Sequence, residues 1–223
     1  MADQHAYAET TREQMSLRYL LGGSMTEGVA GAAAVVVAIA GLATIATPNP
    51  LLPIAVILVG GALFFEGGAV ASRFSTLLSE TSNGRLQSAE FGSGMTAELL
   101  GGMVTVALGI LSILRVSPME LSSVAAIVAG GSIFLGSMLT SRLHHLGIAR
   151  SNESQEARDL AHSAVSSAAN IQVLIGFGSA VLGLLGLLSI APYVLSLVAM
   201  LSLGVAVLVS GGALSGLAMM IRR

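Results

Sequence analysis

Residues 102–136 read GMVTVALGILSILRVSPMELSSVAAIVAGGSIFLG, and this stretch decides the fold. Two apolar arms flank Arg115-Val116-Ser117-Pro118, a segment with room only for a tight turn. Each arm approaches the roughly 20 apolar residues that a helix needs to cross hydrocarbon. The stretch therefore reads as a helical hairpin in a bilayer. It also recurs: Met25-Thr26, Gly31, Pro48 and Gly60-Gly61 stand 70 residues before Met95-Thr96, Gly101, Pro118 and Gly130-Gly131. On the other side, Gly176, Gly183, Pro192 and Gly204 stand 74 residues after Gly102, Gly109, Pro118 and Gly130. A fixed internal period is the signature of a repeat protein.

Composition extends the reading to the whole chain. Of 223 residues, 54% are hydrophobic and 10% charged, against about a quarter charged in soluble domains. Residues 28–65, 99–114, 121–141 and 163–221 hold no Asp, Glu, Lys, Arg or His. They predict six crossings, at about 26–46, 51–72, 97–115, 119–140, 169–189 and 193–218. The expectation is one all-α membrane domain of three parallel, pseudo-repeated hairpins, the repeats covering about 9–78, 79–146 and 151–223.

The first twenty residues are polar and lack the apolar core and cleavage site of a signal peptide, so no removed segment is expected. The absence of cysteine excludes disulfides, thiolate metal sites and thiol nucleophiles. A net charge of −2 gives no basic face for nucleic acid. All ten basic residues are Arg, which with the abundant Ala and Gly suggests a GC-rich bacterial genome. Nine of them, Arg12, Arg18, Arg73, Arg85, Arg142, Arg150, Arg158, Arg222 and Arg223, fall in the N-terminal segment, the two long connectors and the tail. Arg115 alone falls among the short tips. The positive-inside rule then puts both termini and both connectors in the cytoplasm of a bacterial inner membrane. Repeats of two crossings each share one topology and are related by an axis along the membrane normal.

The cytoplasmic lead-ins, Glu9 to Leu20, Ser79 to Phe91 and Ser151 to Ser166, mix Arg, Glu, Gln, Ser and Ala. In the third, Ala157, Leu160, Ala161 and Ala164 oppose Glu156, Arg158 and Asp159, as in a short amphipathic helix lying on the membrane surface. A solvated linker is the alternative, above all around Ser82-Asn83-Gly84. Ser24-Met25-Thr26-Glu27 and Ser117-Pro118-Met119-Glu120 fit the capping box, the second with Pro at N1. Glu27 and Glu120 are thus expected to be caps, and Arg115 an interfacial partner of Glu120 or of lipid headgroups.

Glycines recur seven apart, at Gly60 and Gly67, Gly61 and Gly68, Gly102 and Gly109, Gly176 and Gly183, and Gly204 and Gly211; Gly130-Gly131 repeats the doublet. Seven residues is close to two helical turns, so each pair marks one face where a neighbouring backbone can approach. These twelve glycines are the expected helix-packing positions. The candidate intramembrane polar site is Glu66 with Arg73, two turns apart on one face. An acid within a span is a functional hypothesis by default. The positions equivalent to Glu66 are Gly136 and Ser210, so the copies are expected to share no ionisable group in the bilayer.

Other chemistry has little support. His144-His145, with Glu153, Glu156, Asp159 and His162, matches no standard metal-ligand spacing. The glycine clusters lie within apolar helices, without the Lys of a phosphate loop. No catalytic, metal or cofactor residue is expected, and the protein is read as a non-enzyme.

The 102–136 hairpin and the segment LGLLGLLSIAPYVLSLVAMLSLGVAVLVSGG at 182–212 resemble the short-repeat hairpin of HdeD-like acid-resistance membrane proteins. Residues 29–68 resemble it more loosely. The resemblance covers most of the chain and implies a small bacterial inner-membrane protein of six crossings with inside termini, linked in some members to acid stress. It carries over no catalytic or binding residues, and the longer Ser- and Gln-rich connectors depart from it. The expected role is a structural, stress-related or accessory component acting through helix packing, with the bilayer and either copies of itself or a larger complex as partners. The alternative is a small channel or transporter along the pseudo-threefold axis with Glu66 as its polar landmark, although the polar lining is scarce, mainly Thr44, Thr105, Ser112, Ser132, Ser137, Ser179 and Ser196, scattered and not layered in rings of three.

Overall fold

A computed structural model describes the backbone over residues 26–44, 50–80, 87–147 and 155–220, and side chains over 26–44, 50–68, 97–138 and 170–211. Six helices account for it: α1 (Thr26–Ala43), α2 (Leu51–Glu80), α3 (Gln87–Ile113), α4 (Pro118–Gly147), α5 (Gln155–Leu187) and α6 (Pro192–Met220). Five contain a stretch long and apolar enough to cross a membrane. The apolar part of α3, Ala97–Ile113, is 17 residues, one short of that length, and has Glu98 near its start. The protein is a multi-pass helical membrane protein.

The return helices α2, α4 and α6 pack on one another and form the middle of the bundle. They bury a single apolar cluster that includes Val56, Val59, Leu63, Ala126, Ala129, Ile133, Met200, Leu203 and Val207. Over one stretch the order of burial is the same in all three. From Ser122 to Ile133 the buried positions of α4 are Ser122, Ser123, Ala125, Ala126, Ala129, Gly130, Ser132 and Ile133, and positions 70 earlier in α2 and 74 later in α6 are buried as well; the match breaks at buried Gly136, whose counterparts Glu66 and Ser210 are half-buried.

The first helix of each hairpin, α1, α3 and α5, called outward only for its place before the turn, lies on a seam beside a return helix. α3 meets α2 where a Cβ at Gly102 would stand 2.5 Å from Phe64 N, and one at Gly60 2.7 Å from Val106 N. α5 meets α4 in the same way at Gly176 and Gly130, the latter 2.5 Å from the Gly176 carbonyl oxygen. α1 closes the arrangement against α6, with Gly31 at 2.8 Å from Leu208 N. Backbone meets backbone at all three seams, which only a missing side chain permits. Gly67, against Leu99 N at 2.6 Å, and Gly109 and Gly183 extend the α2–α3 and α4–α5 seams. Gly68 makes an ordinary contact with Leu99, and Gly211 is buried near Gly28. Gly61 and Gly131 depart from expectation: a Cβ there would meet nothing. They are half of a doublet turned out of the seam.

Two turns share one construction. α3 and α5 each end in a Schellman motif. Arg115 N–H donates to Ser112 O and Val116 N–H to Leu111 O; Ser189 N–H donates to Gly186 O and Ile190 N–H to Leu185 O. Arg115 and Ser189 are left-handed (φ 62° and 63°), and so are Ser117 and Ala191 before the prolines (φ 40° and 41°). Pro118 and Pro192 then open α4 and α6 at N1, as their missing N–H favours. Ser117 caps α4 through its carbonyl, which accepts from Leu121 N–H.

The lead-ins are corrected in part. From Gln87 and Gln155 onward they are continuous with α3 and α5, not separate surface helices. Glu9 to Leu20 and Glu153 lie outside the residues described, as do the side chains of Arg73, His144, His145, Glu156, Asp159 and His162.

Candidate functional site: a polar layer at the end of the apolar core

Glu66 lies on α2, two residues before the apolar stretch Leu51–Gly68 ends. It does not stand alone. Its carboxyl interacts electrostatically with those of Glu98 on α3 and Glu27 on α1, and Glu98 also feels Glu27. Three helices thus bring three acids to one level.

Glu27 is 2% exposed and accepts a hydrogen bond from Ser210 Oγ on α6. The carboxyl reaches across the α1–α6 seam, a contact that the capping expectation did not include; Ser24, the partner in the expected capping box, lies outside the residues described. Ser210 also stands within hydrogen-bonding reach of Glu66 and of the Val207 carbonyl. One hydroxyl proton serves one acceptor at a time, so these groups compete for it. The Glu98 carboxyl fills the place over Gly136 on α4 that a Cβ would take. The position 74 residues after Glu98 is Gln172, whose Oε1 accepts from Ser137 Oγ at 3.4 Å.

The layer has an order that the glycine doublets conceal. In α3 the buried series runs Gly102, Thr105, Gly109 and Ser112, with Gly101 buried beside it; in α5 it runs Gly176, Ser179, Gly183 and Gly186, a shift of 74. In α1 it runs Glu27, Gly31, Ala34, Ala38 and Gly41, which matches α3 at a shift of 71, not 70. The first hairpin has one more residue in its loop than the second. With that residue allowed for, Glu27, Glu98 and Gln172 occupy one position of the three outward helices. Glu66, Gly136 and Ser210 occupy one position of the return helices. The expectation that the copies share no ionisable group is thereby overturned for two of the three. Glu98 was missed because charge-free windows begin just after it; pairing by 71 would have found it.

Several other polar residues of the spans are satisfied within their own helices. Thr105, Ser132 and Ser202 hydroxyls return to carbonyls four residues back, at 2.7, 2.7 and 2.9 Å, the local satisfaction expected of hydroxyls inside a helix. Among the described residues no group of three or more His, Cys, Asp or Glu is arranged to hold a metal ion. The acids are near one another without converging on a common point.

The chain matches no family model, no curated protein and no solved structure.

Proposed function

We propose that this is a non-enzymatic inner-membrane protein of three parallel, pseudo-repeated hairpins, a structural or stress-related accessory component whose packing answers to the charge of its carboxyl layer. Its termini and connectors are cytoplasmic, and it assembles with itself or with a larger membrane complex. The matching burial of α2, α4 and α6 and the glycine seams support the threefold reading. The resemblance to HdeD-like proteins fits the same architecture.

The observation that carries the functional reading is the gathering of Glu27, Glu66 and Glu98 at the end of an otherwise apolar core. An acid inside a span costs several kcal/mol unless it is compensated. Three of them side by side repel when ionised, and the repulsion acts on the α2–α3 and α1–α6 seams that hold their helices in place. A scaffold needing only packing would carry the Ala and Gly found elsewhere on those faces.

The test is thermal unfolding in nanodiscs across pH, with ion flux in vesicles beside it. The wild type should soften as the layer ionises, and the Glu27→Gln/Glu66→Gln/Glu98→Gln variant should respond far less, with no flux from either. Equal pH responses would refute the charge-responsive reading. A protein strictly monomeric and without partners in native-membrane crosslinking would refute the accessory role.

The acid layer also favours a second reading, a small transporter. The continuous apolar cluster between the return helices weighs against a path along the axis. A flux abolished by Glu66→Gln would establish it.

A further inference from the structure

Hairpin tips of membrane proteins ordinarily stand in water or among headgroups. The turns at 114–118 and 188–192 are built otherwise. Leu114, Val116 and Met119 at the first, and Leu188 and Ile190 at the second, are all exposed, Leu114 by 67% and Leu188 by 65%. Arg115 is the one charge within 114–118, with exposed Glu120 following in the first turn of α4, and 188–192 has none.

Much of their backbone is closed as well: three N–H groups in each turn bond within the chain, although those of Ser117 and Ala191 do not. Leu114, Arg115 and Val116 N–H groups bond to Ile110, Ser112 and Leu111, and Leu188, Ser189 and Ile190 N–H groups to Leu184, Gly186 and Leu185. Pro118 has no N–H to satisfy, and its carbonyl accepts from the Ser112 and Ser122 hydroxyls at 3.1 and 2.7 Å. Water would supply these partners freely to an aqueous turn. Here the chain supplies them at the expense of four left-handed non-glycine residues. Internal satisfaction of the backbone is the condition for lying in hydrocarbon.

Length agrees. Val116 is 18 residues from Glu98, and Ile190 is 18 from Gln172, roughly 27 Å of helix against a hydrocarbon core of about 30 Å. Lifting the turns into water would draw the carboxyl layer toward the bilayer midplane. Both cannot be wet.

We propose that the turns at 114–118 and 188–192 are seated within the acyl region of their leaflet, with lipid as their contact surface. Arg115 snorkels from the first to a headgroup phosphate; the second lies deeper. It follows that these two hairpins offer no water-exposed docking surface on that side.

The chain contains neither Trp nor Cys, so single reporters can be introduced without background. Val116→Trp and Ile190→Trp are reconstituted in vesicles beside a variant with one Trp added after Arg223. Bromine-labelled acyl chains should quench both turn reporters at least about twofold more than the tail reporter, and Ile190→Trp more than Val116→Trp, with aqueous iodide showing the reverse. Because Trp can disturb a turn, Ser189→Cys is tested with a membrane-impermeant maleimide in vesicles of mixed orientation. Slow labelling until detergent is added is expected. Iodide quenching with rapid labelling would overturn the proposal. Protection from both iodide and brominated lipid would overturn it too, since a protein would then cover the turns.

Discussion

Gly60 and Gly61 are neighbours in α2 and identical in chemistry, yet a Cβ on the first would meet Val106 N at 2.7 Å and a Cβ on the second would meet nothing. Gly130 and Gly131 repeat the contrast in α4. One member of each doublet sets how closely two backbones approach. The other faces out of the seam. Small residues in a membrane helix are thus not one signal: they set spacing only where a neighbouring main chain uses the room.

The largest effect should come from the seam. At Gly102 an added methyl collides with Phe64 N at 2.5 Å and Gly60 O at 2.8 Å. These are backbone atoms that cannot rotate away, so α2 and α3 must separate. Gly102→Ala should cost on the order of 3 kcal/mol, read as a fall in unfolding midpoint in detergent. If it unfolds like Gly61→Ala, the contrast has no energetic content.

A smaller loss is expected at Gly136, where the obstacle is the Glu98 carboxyl. A side-chain terminus can move aside, so Gly136→Ala should cost only about 1–2 kcal/mol. It also expels the acid from its place over α4. Gly136→Ala and Glu98→Gln should consequently be non-additive, as expected of groups sharing one space. Additive losses would place the carboxyl elsewhere.

The architecture was legible where physics acts along one helix. Apolar windows, prolines at turns and paired glycines locate the hairpins, because each constrains a residue regardless of its neighbours. The polar layer was hidden because it is assembled between helices. Glu27 reads as a cap from Ser24 and Thr26 alone, and only α6 reveals Ser210 as its partner. Glu98 stands just before a charge-free window and looks like a boundary. Its equivalence with Glu27 needs a shift of 71, whereas the return helices obey 70. One additional loop residue was enough to conceal the relation. Nor could sequence tell Gly60 from Gly61, since the difference lies in the helix opposite.

Turned outward, a glycine is only a poor helix former. Gly61→Ala and Gly131→Ala meet no atom and restrict the unfolded chain, so each should stabilise by up to about 1 kcal/mol. A rise in unfolding midpoint for both, opposite in sign to Gly102→Ala, would sharpen the contrast. A loss at either would show that something outside the chain occupies the space, and that the outward glycine belongs to a second interface.

The smallest effect concerns what stands at the tip end of the seams in place of glycine. Ser123 Oγ and Ser196 Oγ share a 3.1 Å hydrogen bond between α4 and α6, and both residues are fully buried. A Cβ at Gly186 of α5 would come within 2.6 Å of Ser123 Oγ, so the room left by a glycine again admits the partner. In α2 the positions of Ser123 and Ser196 are Pro53 and Leu52, without a hydroxyl. The bond therefore joins only two of the three return helices. Hydrogen bonds between membrane helices average about 0.6 kcal/mol in double-mutant cycles. Ser123→Ala, Ser196→Ala and the double variant should give a coupling near that value. A coupling approaching the cost of Gly102→Ala would mean that a polar contact holds α4 and α6 together as firmly as backbone approach holds α2 and α3. A value near zero would leave the apolar cluster as what sets the register of the return helices.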